Sequence, residues 1–272
     1  MSTTRTPPSG AVTELWGYRS LIRNLARRDL SARYKKSVLG WAWSLINPAS
    51  TLLIYSVVFG TILKVTPPPG HNPSVKVFAL YLFTGLIIWN CFNAVLTGAI
   101  GALQGVGTLL NKVYFPPACP AVAATAVSVT QSAIETSILI VAMLIARNAW
   151  WTILLLPLVF VPAVALSLGI GLALSAYNVL YRDVAYLVTI GLNLLFYATP
   201  IVYPITLVPE PLRTVFEANP LTQLVGIARD LAYFGQLPSL GSIAYTLVIS
   251  AVVLVLGWKI FEAKARLVIE DL

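Results

Sequence analysis

The run Ile249-Ser250-Ala251-Val252-Val253-Leu254-Val255-Leu256 puts aliphatic side chains on every side of whatever backbone is drawn through it. It lies inside an uncharged stretch, 231–258, and four more such stretches occur at 37–63, 77–111, 148–181 and 184–209. Each exceeds the roughly 20 residues with which a helix crosses a bilayer core. A membrane β-barrel would need strands of about ten residues with alternating polarity. Neither Ile249–Leu256 nor Leu139–Ile145 alternates. The expected fold is an all-α membrane protein.

Composition agrees. Of 272 residues, 58% are hydrophobic and 10% charged, whereas a soluble domain carries about a quarter charged residues. So few charges cannot coat a water-exposed surface. Spans are expected near 38–63, 77–102, 119–146, 151–176, 184–205 and 240–261, six in all. The apolar run after Arg19–Lys36 is longer than a signal-peptide core, so 38–63 reads as an uncleaved span. Six spans leave both termini on one side. Of the 18 Lys and Arg residues only Lys64, Lys76, Arg147, Arg213 and Arg229 fall on the other side, and the positive-inside rule makes the terminal side cytoplasmic. The net charge of +8 raises a nucleic-acid reading. Residues 1–36 carry much of it and can lie against anionic headgroups; no nucleic-acid partner is expected.

Residues 1–37 form the first unit, a cytoplasmic tail with an amphipathic interface helix over 14–35. Leu15, Tyr18, Leu21, Ile22, Leu25 and Ala26 share one face, with Arg19, Arg23 and Arg27 in a neighbouring stripe. Residues 38–272 form the six-span unit. Within it the loop 104–118 presents Tyr114-Phe115-Pro116-Pro117, apolar groups suited either to a partner's groove or to headgroup depth. Pro209, Pro211, Asn219-Pro220 and Pro238 punctuate 206–238. Its apolar run, 221–234, is too short to span and fits a re-entrant hairpin lining an outer cavity.

Little enzymatic chemistry is on offer. The dipeptide Gly-Lys never occurs, so the chain has no P-loop of its own. His71, Cys91 and Cys119 give no metal-ligand spacing, and a disulfide is not expected. His71 reads as a solvated loop residue. Glu210, Glu217 and Asp230 are dispersed on the outer side. Glu135 is the acidic residue deep in a span, among Thr130, Gln131, Ser132, Thr136 and Ser137. A proton relay would need such a group, and a hydrogen-bonded carboxyl facing neighbouring helices is the plainer reading.

The run from Arg28 to Pro48, with Asp29, Arg33, Lys35, Gly40, Trp41, Trp43 and Asn47, closely resembles the start of ABC-2 type polysaccharide exporter permeases. The resemblance continues through Asn111-Lys112-Val113-Tyr114-Phe115-Pro116, Asn178–Val184, Ala198–Pro204, Asn219-Pro220-Leu221-Thr222 and Arg229. It implies a permease in the bacterial inner membrane that pairs with a second copy of itself and two copies of a separate P-loop ATPase. ATP and Mg would sit on that partner, with no cofactor on this chain. The cargo would be a lipid-linked polysaccharide of the O-antigen, teichoic-acid, capsule or cell-wall galactan type. By carry-over, Arg27, Asp29, Arg33 and Lys35 on the N-terminal helix would contact the ATPase. So would Lys112, Tyr114, Phe115 and Pro116 in the first cytoplasmic loop and Arg182 and Asp183 in the second. A sliding glycan favours aromatic channel walls, for which Tyr55, Phe59, Phe196, Tyr197 and Tyr203 are the candidates. The competing readings are a proton-coupled transporter working through Glu135, which would show broken spans in both halves, and a membrane glycosyltransferase, which would want clustered outer carboxylates.

Overall fold

The computed structural model describes residues 11–34, 39–64, 67–74, 77–106, 115–181 and 183–270, and every regular element among them is helical. Two helices precede the bundle, α1 (Ala11–Gly17) and α2 (Arg19–Tyr34). Next come α3 (Trp43–Ile62), α4 (Phe78–Ala102), α5 (Cys119–Ile145) and α6 (Leu156–Leu180), the last led in by a tight turn, Trp151–Leu155. After α7 (Val184–Tyr197) a helical hairpin, α8 (Glu210–Glu217) and α9 (Pro220–Arg229), leads to α10 (Leu240–Glu270).

Five helical segments are long and apolar enough to cross a bilayer: 43–62, 78–102, 119–145, 151–180 and 240–264. The fifth expected span, 184–205, differs. Helix α7 has 14 residues, about 21 Å at 1.5 Å per residue, against roughly 30 Å of hydrocarbon. Pro200 is the reason, because its ring would clash with the carbonyl of Phe196 and it has no N–H to give. The chain turns over 198–204 instead.

Helix α4 is the centre of the bundle. Apolar on all sides, it buries Leu82, Phe83, Ile87, Ile88, Phe92 and Val95 among α5, α6 and α9. Glycine lets α6 approach two neighbours at once. A Cβ on Gly169 would stand 2.6 Å from Leu254 Cα and Val253 O on α10, and one on Gly171 would stand 2.7 Å from Ala99 Cβ on α4. Gly257 of α10 faces Gly169 backbone to backbone. Such small-residue contacts are how helices associate where lipid removes the hydrophobic drive. The outer rim exposes Leu45, Leu53, Ile54 and Val57 on α3, Tyr186, Leu187, Ile190 and Leu194 on α7, and Val248, Val252 and Val255 on α10. An apolar rim of this extent is a surface for lipid or another protein.

At the hairpin end the loops are knitted by side chains. Asn148 donates to Tyr233 O at 2.9 Å and accepts from Asn72 N at 3.0 Å. Tyr233 Oη donates to Pro68 O at 3.0 Å, and Thr152 Oγ1 to Leu231 O at 2.7 Å. Gly235 closes this end at φ +67, and a Cβ there would meet the His71 ring at 2.7 Å. His71 is exposed, as a loop residue should be, but it stacks on Trp150 with ring centroids 4.6 Å apart.

Candidate functional site

Two zones carry the chemistry that the sequence offers, one at each end of the bundle. At the α2 end, the apolar face of α2 meets protein. Leu25 and Ala26 are buried with Val106, Phe115, Cys119, Ala123 and Val127, and Leu15, Tyr18, Leu21, Ile22 and Leu30 pack around them. The face expected to lie on lipid thus covers the start of α5. The opposite face leaves Arg19, Arg23, Arg27 and Arg28 exposed, with Arg28 Nε 2.9 Å from Asp29 Oδ1. A groove of about 480 Å³ runs beside them, floored by Gly98, Gly101 and Gly105 and edged by Arg28 and Asp29.

Phe115, expected as a protruding anchor, is 1% exposed. It turns inward because α2 offers it an apolar seat, and removing a Phe side chain from water contributes about 1.5–3 kcal/mol. Pro116 is buried beside it. Lys35, Lys112, Tyr114 and Arg182 lie outside the described residues, and of Arg33 only the backbone is described. Asp183 is exposed at the start of α7 and makes no capping bond. That task falls to Asn178, whose Oδ1 accepts from Ala185 N at 3.1 Å. Asn178 is 1% exposed, and its main-chain carbonyl takes Gln104 Nε2 at 3.3 Å. It ties the end of α4 to the α6–α7 turn. In the sequence it opens a segment that carries the resemblance, Asn178–Val184, without showing this role.

At the hairpin end, Asn219 caps α9 by accepting from Leu221 N at 3.0 Å, with Pro220 in the first turn, where no N–H is needed. Asn219 Nδ2 also donates to Thr199 Oγ1 at 3.1 Å. Ten residues after Asn219, at the end of α9, Arg229 is 5% exposed. Its Nη1 and Nη2 donate to Pro200 O at 2.7 Å and Ile201 O at 2.5 Å, and its guanidinium lies 3.8 Å from the Tyr81 ring centroid. Gly85 makes room for it, since a Cβ there would stand 3.1 Å from Nη2. Arg229 therefore clamps the hairpin to the turn that ends α7 and to α4. Next to it, burial pushes the Asp230 carboxyl above its ordinary range, partly opposed by the hydrogen bond from Gln236 Nε2 at 2.9 Å. Arg229 was visible in the sequence as part of the resemblance and as an outer-side charge; its burial was not.

Four of the five channel candidates fall on two aromatic chains that meet α4, and the fifth, Tyr203, is tied to one of them by a hydrogen bond. Tyr55 packs on Phe59 at 5.8 Å and Phe59 on Phe78 at 5.0 Å, continuing through Tyr81 to Tyr233. Phe196 sits edge-on to Trp89 at 5.2 Å and to Tyr197 at 5.3 Å. Tyr203 Oη donates to Tyr197 O at 2.5 Å, and Tyr197 is exposed. Glu135, at mid-length of α5, is buried and accepts from Asn90 Nδ2 at 3.0 Å.

The family model described as ABC-2 type transporter matches residues 20–233. The O-antigen export system permease protein RfbA of Myxococcus xanthus is 29% identical over 93% of this chain and 95% of its own length. The protein of the same name from Klebsiella pneumoniae is 27% identical over 80% and 82%. The polysialic acid transport protein KpsM of Escherichia coli is 25% identical over 89% and 93%.

Proposed function

The chain belongs to the ABC-2 type transporter family, and from that premise we propose that it is the permease subunit of an ATP-driven exporter of a lipid-linked polysaccharide. The observation that carries the reading is the near full-length likeness to O-antigen and polysialic acid permeases in a chain with no Gly-Lys dipeptide for a P-loop. Energy must then come from a separate ATPase, two copies acting on a permease dimer. The apolar rims of α3, α7 and α10 leave surface for a second copy beside lipid. The chain would sit in the bacterial inner membrane with the α2 end and both termini in the cytoplasm, as the distribution of Lys and Arg favours. The hairpin is then re-entrant from the outer side, and its knitted loops supply the partners that non-helical backbone needs at depth.

In this orientation the exposed arginine face of α2 and the neighbouring groove meet the ATPase. Arg27, Asp29, Arg33, Lys35, Lys112, Tyr114, Arg182 and Asp183 make that contact, while Pro116 is buried with Phe115. Phe115 fastens α2 to α5 from inside, so that a push on α2 reaches the bundle. Tyr55, Phe59, Phe196, Tyr197 and Tyr203 offer ring faces along the glycan path, where apolar contact holds without fixing register. The test is depletion of the chain in its host, with complementation by the chain alone and with its cognate ATPase. Surface polysaccharide should vanish on depletion and return only when both subunits are present. Purified chain, free of contaminating ATPase, should hydrolyse no ATP; robust hydrolysis by it alone would overturn the assignment.

A further inference from the structure

A third polar site lies on the flank of the bundle, between α3, α4 and α5. Pro48 interrupts the hydrogen-bond ladder of α3, leaving the carbonyl of Ser44 without its usual i+4 donor. Gln131 Nε2 reaches across from α5 and donates to that carbonyl at 3.3 Å. One turn along α5, Glu135 holds Asn90 of α4. Between the three helices remains a cavity of about 460 Å³ lined by Trp43, Asn47, Thr51, Asn90, Gln131 and Glu135. Its size falls within the roughly 300–1,000 Å³ of small-molecule sites.

The composition of this wall is unlike the rest of the apolar rim. Asn47 is exposed, and Trp43 is 41% exposed. Asn90, Gln131 and Glu135 already hold protein partners, but the exposed amide of Asn47 facing hydrocarbon would lose hydrogen bonds at a cost of several kcal/mol, so acyl chains are the wrong occupant. Three side-chain amides can donate and accept, a carboxyl can hold hydroxyls, and an indole face can take the apolar face of a sugar ring. No Lys, Arg or His lines the cavity, so a phosphate or a sugar carboxylate would be desolvated without a counter-charge.

We propose that this cavity is a binding station for uncharged sugar residues of the exported glycan, with Glu135 and the amides of Asn47, Asn90 and Gln131 holding hydroxyls against Trp43. It rests on the exporter reading and adds both a site and a preference for neutral sugars. It also gives Glu135 a role as hydroxyl partner, for which proton transfer is not required.

The test uses the full chain with its ATPase in its host, fed carbon-14 glucose so that every glycan carries label. A photoreactive benzoylphenylalanine replaces Asn47, Thr51 or, as a control on the apolar rim, Leu53, which is 65% exposed. After irradiation the chain is purified under denaturing conditions. The expected result is several-fold more periodate-sensitive label per substituted chain at positions 47 and 51 than at 53, in cells that co-express the native chain so that export does not depend on the substituted copy. Two positions are used so that one poorly tolerated probe does not decide the outcome. Export with no more glycan label at 47 and 51 than at 53 overturns the station, as does label that is wholly extractable lipid. Unchanged surface glycan on depletion of the chain overturns the exporter reading itself, and the station with it.

Discussion

Replacing Arg229 with Met tests the clamp that holds the hairpin. The guanidinium serves two buried carbonyls, Pro200 O and Ile201 O, and lies over Tyr81. Hydrogen bonds from a charged donor contribute about 1.5–3 kcal/mol each, and a desolvated cation–π contact contributes up to about 2 kcal/mol. Set against these, methionine recovers several kcal/mol of guanidinium desolvation. The cost that nothing offsets is that of two carbonyls left unpaired, about 1–3 kcal/mol apiece. The net expectation is a loss of about 2–4 kcal/mol, concentrated in the hairpin rather than spread over the bundle. Unfolding in mixed detergent micelles measures the total, and limited proteolysis over 198–238 locates it. Arg229→Lys keeps the charge but has no planar fork to reach both carbonyls, so it should fall between native and Met. If Arg229→Met unfolds at the native detergent fraction and its hairpin resists protease as the native one does, the carbonyls have other partners and the clamp is not what holds the hairpin.

Three further perturbations follow from the same geometry. Phe115→Ala removes the side chain that seats α2 on α5 and should cost about 3–4 kcal/mol; labelling of Cys119, which is buried behind that seat, should rise, and no rise would mean α2 is held elsewhere. Asn178→Ala removes the side-chain cap on Ala185 N and the Nδ2 bond to Ile100 O, at about 1–2 kcal/mol, and should lower export more than ATP hydrolysis when the proposed ATPase is present. Asn178→Asp, which keeps the acceptor for Ala185 N, should restore part of the coupling, and equal loss in both variants would argue against the cap. Gly257→Val forces a branched side chain into the backbone contact with Gly169 and should destabilise by about 1–3 kcal/mol, read from the same micelle unfolding; a neutral result would place α6 and α10 farther apart than here.

Much of the architecture was legible in the chain because membrane insertion depends on local composition. The spans at Phe78–Ala102 and Cys119–Ile145 follow the expected 77–102 and 119–146 closely, since length and apolarity alone decide where a helix is stable in lipid. The amphipathic face of α2 was readable from periodicity, and the break at Asn219-Pro220 from its proline, though not the cap that Asn219 makes. The early end of α7 had its signal in Pro200, which a count of uncharged residues overlooks.

What sequence could not reveal is which partner each face would find. Periodicity marks the Leu15–Ala26 face as apolar but cannot tell lipid from protein, and the structure places Phe115 and α5 there. Arg229 reads as one more outer-side charge until α4 supplies Tyr81 and the α7 turn supplies two carbonyls. Gln131 and Ser44 are 87 residues apart, and only the packing of α3 on α5 brings the Gln131 amide to the Ser44 carbonyl, which Pro48 cannot serve. Spans are set by the transfer free energy of contiguous residues, which any window of sequence contains. Clamps, caps and cavities depend on contacts between distant residues, and these exist only once the helices have packed.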